Sequence, residues 1–510
     1  MRKLVIILGA MVSGSGVYAQ LPDTAAGTLA ADSAAFAVYR WAQLSPAFIQ
    51  QAMPAAYNQA VLGYQKAGGT FMAAQEASGI SRYTAATEGK TALGSVHLWG
   101  SFSYEKTTED STRFAHQTRN NTSTPYYYGS PGNVSYHRSV YQARALVSKS
   151  FFRQRMPAGI GIDYRIGSHF SANDPRGSIT DFALSLTGSL GYTFGQRFTV
   201  AAQGYYGYGQ EMISVGYKNE QYQQSTVYPQ YVNYMINGYG EPEYQFSNLR
   251  YRNMLKHTGG GISLQYRLPT GLLAFQGKRI SENQRFRYQS GDGFLWLSCY
   301  DIVTTQFNLL WHTRWGAKGL TLALQGQQQQ GKDFHLKYQA NNYRYNAWAY
   351  TGMLAYTVHQ KSLTYNYGLR VQTTKEQRID GIYGNNLRYN RAAISPGFGM
   401  QIRTAGKNTW GFDINGAYEK ALNYQAVVSS INVSYFTQQV IYHDFYYQTA
   451  NAAGGNLSLH LSRAFDGFNA GIKLSGSYRR ALEWNALQWP QALYPGKDRY
   501  SINAGVYFFF

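Results

Sequence analysis

From Leu93 to its last residue the chain alternates, with apolar side chains at every second position and polar ones between them, in stretch after stretch. Val96, Leu98, Gly100, Phe102 and Tyr104 share one face, opposite His97, Trp99, Ser101, Ser103 and Glu105. Ile160, Ile162, Tyr164 and Ile166 repeat the pattern against Asp163 and Arg165, and Phe468, Ala470, Ile472 and Leu474 repeat it near the end. The last copy, Arg499 to Phe510, reads RYSINAGVYFFF. A period of two belongs to β-strands, whose successive side chains point to opposite faces of a sheet.

The polar faces are rich in Gly, Ser, Thr, Gln and charge, too polar for the core of a soluble sandwich. After residue 19 no run approaches the roughly 18 to 20 apolar residues that a membrane helix needs, and mean hydropathy is −0.39. Alternating strands can still cross a bilayer as a closed barrel, with apolar residues toward lipid and polar ones toward the lumen. The 46 Tyr, 26 Phe and 9 Trp suit aromatic girdles at the two membrane surfaces.

Links between these segments alternate in length. Tight ones fall at Arg153-Met156, Gly195-Gln196, Leu268-Thr270, Gly316-Lys318, Gln360-Lys361, Thr404-Asn408 and Phe465-Gly467; long polar ones cover about Thr107-Tyr136, Lys218-Tyr251, Phe334-Tyr343 and Asn423-Gly455. Short periplasmic turns alternating with long external loops are the habit of an outer-membrane barrel. The reading is therefore an all-β, transmembrane, antiparallel up-and-down β-barrel of about 16 strands, with about 14 as the alternative, and both termini in the periplasm. Met1 to Ala19, with Arg2, Lys3, an apolar core from Leu4 to Met11 and the small-residue site Val17-Tyr18-Ala19, reads as a secretory signal peptide. Residues 20–92 read as an N-terminal periplasmic or hatch segment, with an ordinary first hairpin as the alternative for Gly68 to Thr91, and residues 93–510 as the barrel. Cleavage before Gln20 leaves no cysteine to acylate, and the lone Cys299 rules out an internal disulfide.

The net charge of +20 falls to +18 without Arg2 and Lys3. For an exported chain that excess points away from nucleic acid, toward lipid phosphates including lipopolysaccharide, acidic glycans or small anions. Parity places Arg144, Arg165, Arg197, Arg267, Arg314, Arg370, Arg403, Lys473 and Arg479 in the lumen, against Glu105, Asp163, Asp181, Asp413 and Glu419. Arg165, Arg267, Arg370, Arg403, Lys473 and Arg479 are the candidate solute-binding residues; the competing reading is that such groups pair across the lumen and only stiffen the wall. The Tyr-rich loops, with Tyr126-Tyr127-Tyr128 and Tyr228, Tyr231, Tyr234 and Tyr239, could stack on sugars or a partner, or simply cover the rim. His97, His169, His257, His312, His359 and His460 fall on the lumenal face without a recognisable nucleophile-and-acid spacing, and His443-Asp444 is a lone pair, so neither catalysis, a metal nor a cofactor is expected.

The closing strand, with its aromatic last residue Phe510, resembles the terminal strand of bacterial outer-membrane barrels, which implies recognition by the barrel-assembly machinery. Together with the signal, the barrel pattern, Gln75 and Thr87-Glu88-Gly89 ahead of Gly100-Ser101-Phe102-Ser103-Tyr104, the chain resembles a group of Bacteroidota outer-membrane β-barrels that carry a domain of unknown function. The resemblance spans nearly the whole mature chain. It implies a transport-related role, or binding to a TonB-dependent transporter or lipoprotein of a nutrient-uptake system. Three functions follow as expectations: a channel or uptake barrel for small polar or anionic solutes, a closed structural or partner-binding barrel, and, least favoured, an outer-membrane hydrolase.

Overall fold

A computed structural model describes residues 33–53, 56–119, 123–223, 227–240, 242–245, 249–404, 407–430, 433–484, 489 and 491–510. The signal peptide expected at 1–19 lies outside the described residues. Among these, 18 long strands form one continuous antiparallel sheet, from Tyr57–Gly69 to Asp498–Phe509. The sheet closes on itself, since the first strand pairs with the last from Gln59↔Phe509 to Gly69↔Arg499. Closure removes the unpaired edge that a bilayer does not tolerate.

The strand count corrects the expected 16, and the reason lies at the N-terminus. Tyr57–Gly69 and Gly79–Leu93 are wall strands, paired with each other from Tyr57↔Lys90 to Gly68↔Gly79, so the barrel begins at Tyr57 and the hatch boundary at residue 92 is wrong. Small residues (Ala60, Gly63, Ala85, Ala86, Gly89) blunt the apolar alternation there. Exposed Leu62, Tyr64 and Tyr83 nonetheless mark its lipid face.

Elsewhere the parity holds. Ile160, Ile162, Ile166, Leu190, Ile262, Ile414, Leu459, Ile472 and Ile502 are all exposed on the outer surface, where lipid would cover them. Every link at one end of the barrel is two to four residues long. At Gly195-Gln196 both residues take left-handed φ values of +53° and +66°, the conformation that a tight hairpin matching strand twist requires.

The opposite end carries the long loops, and they fold inward. Tyr126–Gly129, Tyr234–Asn237 and Glu243–Tyr244 make a small three-stranded sheet. A π-helical turn, Thr437–Tyr442, runs into the helix His443–Thr449. Their side chains join a large buried cluster with lumen-facing Tyr136, Tyr251, Phe286, Tyr300 and Tyr343. The Tyr-rich segments are thus partly misplaced by the sequence reading: Tyr126, Tyr127, Tyr128, Tyr234 and Tyr239 are buried in this lid. Tyr222 and Tyr231 do stay near the rim, stacked on each other at 4.0 Å.

Candidate functional site

The short-turn end is closed by the chain's own N-terminal segment. The helix Ser33–Ala42, the turn Pro46–Phe48 and the short helix Ile49–Ala52 lie inside the barrel. Trp41, Ala47 and Phe48 pack on Ala201, Leu272, Ala274, Leu310 and Ala323. Tyr39, Ala42, Ile49 and Met53 pack on Tyr57, Trp99 and Leu146. Apolar side chains at lumenal parity, level with one another on neighbouring strands, are the signal that the sequence reading passed over.

Polar contacts complete the seat. Backbone carbonyls in the turn after the helix need donors once they are buried in the lumen. Here the Arg144 guanidinium donates to the Gln43 carbonyl at 2.7 Å and the Gln276 amide to the Leu44 carbonyl at 2.8 Å. Lys90 Nζ donates to the Met53 carbonyl at 3.2 Å, and Ser150 Oγ to Gln50 Oε1 at 2.7 Å. The Tyr39 hydroxyl donates to Glu88 Oε1 at 2.5 Å and also meets the Tyr57 hydroxyl, which accepts from Trp99 Nε1 at 2.8 Å. The half-buried Glu88 carboxylate thereby gains a donor, which offsets part of the cost of taking it out of water.

Between plug and lid the wall is polar, and the six candidate cations divide into three groups. Arg165 pairs with Asp181, which also bonds His169 Nε2 at 2.9 Å. Arg479 donates to Glu419 Oε2 at 2.7 Å and to the Tyr447 hydroxyl at 2.9 Å, with its guanidinium 4.5 Å from the Phe71 ring centre. The first set lies wholly within the wall, whereas Arg479 ties the wall to the lid through Tyr447. A separate group, nearer Arg165, holds the 113–119 loop to the wall: Glu109 sits between Arg119 and Arg138, each at 2.8 Å, and the Thr118 amide donates to Glu211 at 3.0 Å. Arg267 and Arg403 are exposed at the short-turn rim, where each backbone amide bonds the neighbouring strand's end. Arg370 and Lys473 remain on the lumenal face in mid-strand. Neither has a carboxylate within ion-pair distance among the described residues. Arg370 is exposed and paired across the sheet with Met353 and Ser395; Lys473 is half-buried opposite His460, near which Asp413 lies at 3.9 Å.

The histidines are spread around the wall. His257 Nε2 lies 3.0 Å from Ser185 Oγ, over Gly207, where an added Cβ would lie 2.3 Å from the ring. Asp163, across from Ser185, accepts from the Gln142 amide at 3.4 Å instead of holding the imidazole. His312 and His359 bond Thr321 and Thr364, each at 3.1 Å. His443, in the lid, sets both ring nitrogens against the carbonyls of Leu493 and Met72 at 2.9 and 3.0 Å. Among the described residues no three His, Cys, Asp or Glu converge as a metal site.

A closed even-stranded barrel with an apolar exterior, a polar interior and lumenal closures at both ends defines an outer-membrane β-barrel. The chain belongs to the family of unknown function DUF6850, whose model matches residues 46–510 and so takes in the plug from Pro46 onward. No curated protein matches it in sequence. Among solved structures it is similar to the FrpB iron transporter of Neisseria meningitidis, at 10% identity over 90% of this chain and 81% of that one, TM-score 0.38. It is also similar to the copper transporter OprC, at 8% over 89% and 81%, TM-score 0.43. A Pseudomonas aeruginosa FadL homologue matches at 10% over 98% and 99%, TM-score 0.36. At that distance the likeness says nothing of what this barrel carries.

Proposed function

We propose that the protein is a gated barrel for small polar or anionic solutes, whose resting state is closed by residues 33–53. The observation that carries this reading is the pair of lumenal cations, Arg370 and Lys473, left without carboxylate partners between two closures. A cation committed to stiffening the wall would be paired, as Arg165 and Arg479 are. An unpaired cation on the lumenal wall biases the lumen toward anions. Its partners would be membrane lipids, the assembly machinery through Phe510, and a TonB-dependent transporter or lipoprotein if the plug is displaced by an outside agent. Among the described residues no carboxylate is hydrogen-bonded to the His257 imidazole of the Ser185–His257 pair, so the transport reading is preferred.

The deep aromatic lid favours a second reading, a closed partner-binding barrel. Single-channel conductance in a planar bilayer under a salt gradient separates the two. The comparison is between the mature chain and a deletion of residues 20–53, which must stop short of Tyr57 because that residue begins a wall strand. Anion-selective current in the deletion, absent or rare in the mature chain, supports the gated barrel. Silence in both, with the deletion correctly folded, leaves the closed barrel.

A further inference from the structure

On the outer surface, two adjacent cross-strand rows near the short-turn end make a recess. One row runs Lys149, Ala158, Leu190, Ala202; the next runs Val147, Ile160, Gly188, Gly204 and on to Gly260. All of these share the lipid-facing parity of exposed Ile160 and Leu190. An added Cβ at Gly188 or Gly204 would meet nothing within 4 Å. The groove, about 550 Å³, thus has a floor of Gly and Ala between ridges of larger apolar side chains. Of the residues lining it one is a cation, Lys149, while Arg279 stands beyond Gly260 at the far end of the second row. Lys149 Nζ is 5.3 Å from the Phe151 ring centre and has no carboxylate partner among the described residues. Phe151 ends its strand, and the turn beyond it holds Arg153 and Arg155.

A lysine on the lipid face is costly unless it reaches the membrane surface or an anion. Two residues from a strand end, Lys149 sits at headgroup depth, while the groove runs away from it along apolar wall. This positions one molecule that is anionic at one end and a long hydrocarbon at the other. We propose that the groove is a specific site for a membrane glycerophospholipid: an acyl chain fills the recess over Gly188 and Gly204, and the phosphate is held by Lys149. A bare lipid annulus would need neither the missing side chains nor the cation. The inner side of the same wall is where the plug turn rests, since a Cβ on Gly159 would lie 2.7 Å from Pro46.

The test is native mass spectrometry of the full mature protein, delipidated in detergent and titrated with phosphatidylglycerol or with phosphatidylcholine of the same chains. Variants are Gly204→Leu, Lys149→Gln and, as a control, Gly416→Leu, at another glycine of lipid-facing parity with open space around it. Heat-modifiable mobility on gels confirms that each is folded. The wild type and the control are expected to keep one phosphatidylglycerol at collision energies that strip the rest. Gly204→Leu should lower that retention roughly tenfold, the size of one good hydrophobic contact. Lys149→Gln should remove the preference for phosphatidylglycerol over phosphatidylcholine. Retention unchanged in both variants, or lost equally in the control, overturns the site. A headgroup preference that survives Lys149→Gln overturns the assignment of the phosphate.

Discussion

At the long-loop end the lumen is filled by a continuous aromatic core in which Tyr126, Tyr128, Tyr251, Phe286 and Phe436 are fully buried. At the short-turn end a 21-residue segment, 33–53, rests in two small apolar patches and is held by a handful of side-chain hydrogen bonds. The lid is woven from several loops, so opening it means breaking core and ion pairs together. The plug is one segment at the end of the chain, and its withdrawal leaves every wall strand paired. One closure is continuous with the folded core; the other is a single segment on which no wall strand depends for its pairing.

The largest expected effect therefore belongs to the lid. Phe436 lies against Phe114 and Tyr239, with ring centres 5.3 and 6.3 Å away. Phe436→Ala should cost about 3 to 5 kcal/mol of lid stability. Hydrogen exchange should report it as lost protection in 113–119 and 437–449, with the wall strands unchanged. If protection stays intact, the lid is not the cooperative unit that its packing implies.

A smaller effect, seen at the other end, comes from Glu88→Gln. It removes a charge-assisted bond from the Tyr39 hydroxyl, worth about 1.5 to 3 kcal/mol. Plug opening should rise roughly tenfold or more, read as labelling of a cysteine placed at Phe48 or as more frequent channel openings. The barrel's resistance to heat should not move. Equal destabilisation of barrel and plug would erase the distinction between the two closures.

The chamber between them offers a third contrast. With residues 20–53 deleted, Arg370→Glu and Lys473→Glu should shift the reversal potential toward cations, whereas Arg479→Gln, in the lid network, should leave it where it was. A reversal potential indifferent to both glutamates would remove the basic-chamber reading and leave the barrel closed in function as well as in form.

Much of the wall was legible because each residue in a membrane strand faces one of two solvents, lipid or lumen. Ile160 and Arg165 could hardly be exchanged. Parity sets the six candidate cations on one face, with Arg267 and Arg403 falling at the short-turn rim, but parity alone does not fix their pairing. Arg165 with Asp181 is a neighbour-strand contact that parity suggests, whereas Arg479 with Glu419 skips over a strand and needs the barrel's curvature. The first hairpin escaped because Ala and Gly soften its alternation. The lid escaped because Tyr126 and Tyr234 lie 108 positions apart in polar loops, and nothing local says that such loops turn inward.

The finest contrast lies within the lid, between two buried groups that titrate in opposite senses. Burial, with the Arg138 charge nearby, pushes His116 down to about 3, while its Nδ1 meets the Tyr136 hydroxyl. Burial pushes Asp444 up to about 6, although its Oδ1 accepts from the Ala74 amide at 2.7 Å. A histidine docked in neutral form disfavours the proton that the released loop would take, so the 113–119 loop loses stability as pH falls from 6.5 toward 3. A carboxyl docked with a raised pKa holds its proton more tightly than the released helix does. Its contribution is complete below the ordinary carboxyl pKa of 3.8 and is lost as pH rises through about 6. Acidification from pH 7 to 5 should therefore loosen exchange protection around His116 and tighten it around His443–Thr449. His116→Asn should abolish the first trend alone, and Asp444→Asn the second alone. Each group is one contact among many, so the shifts should be the smallest of the four effects, and two trends of the same sign would mean that the lid responds as one body.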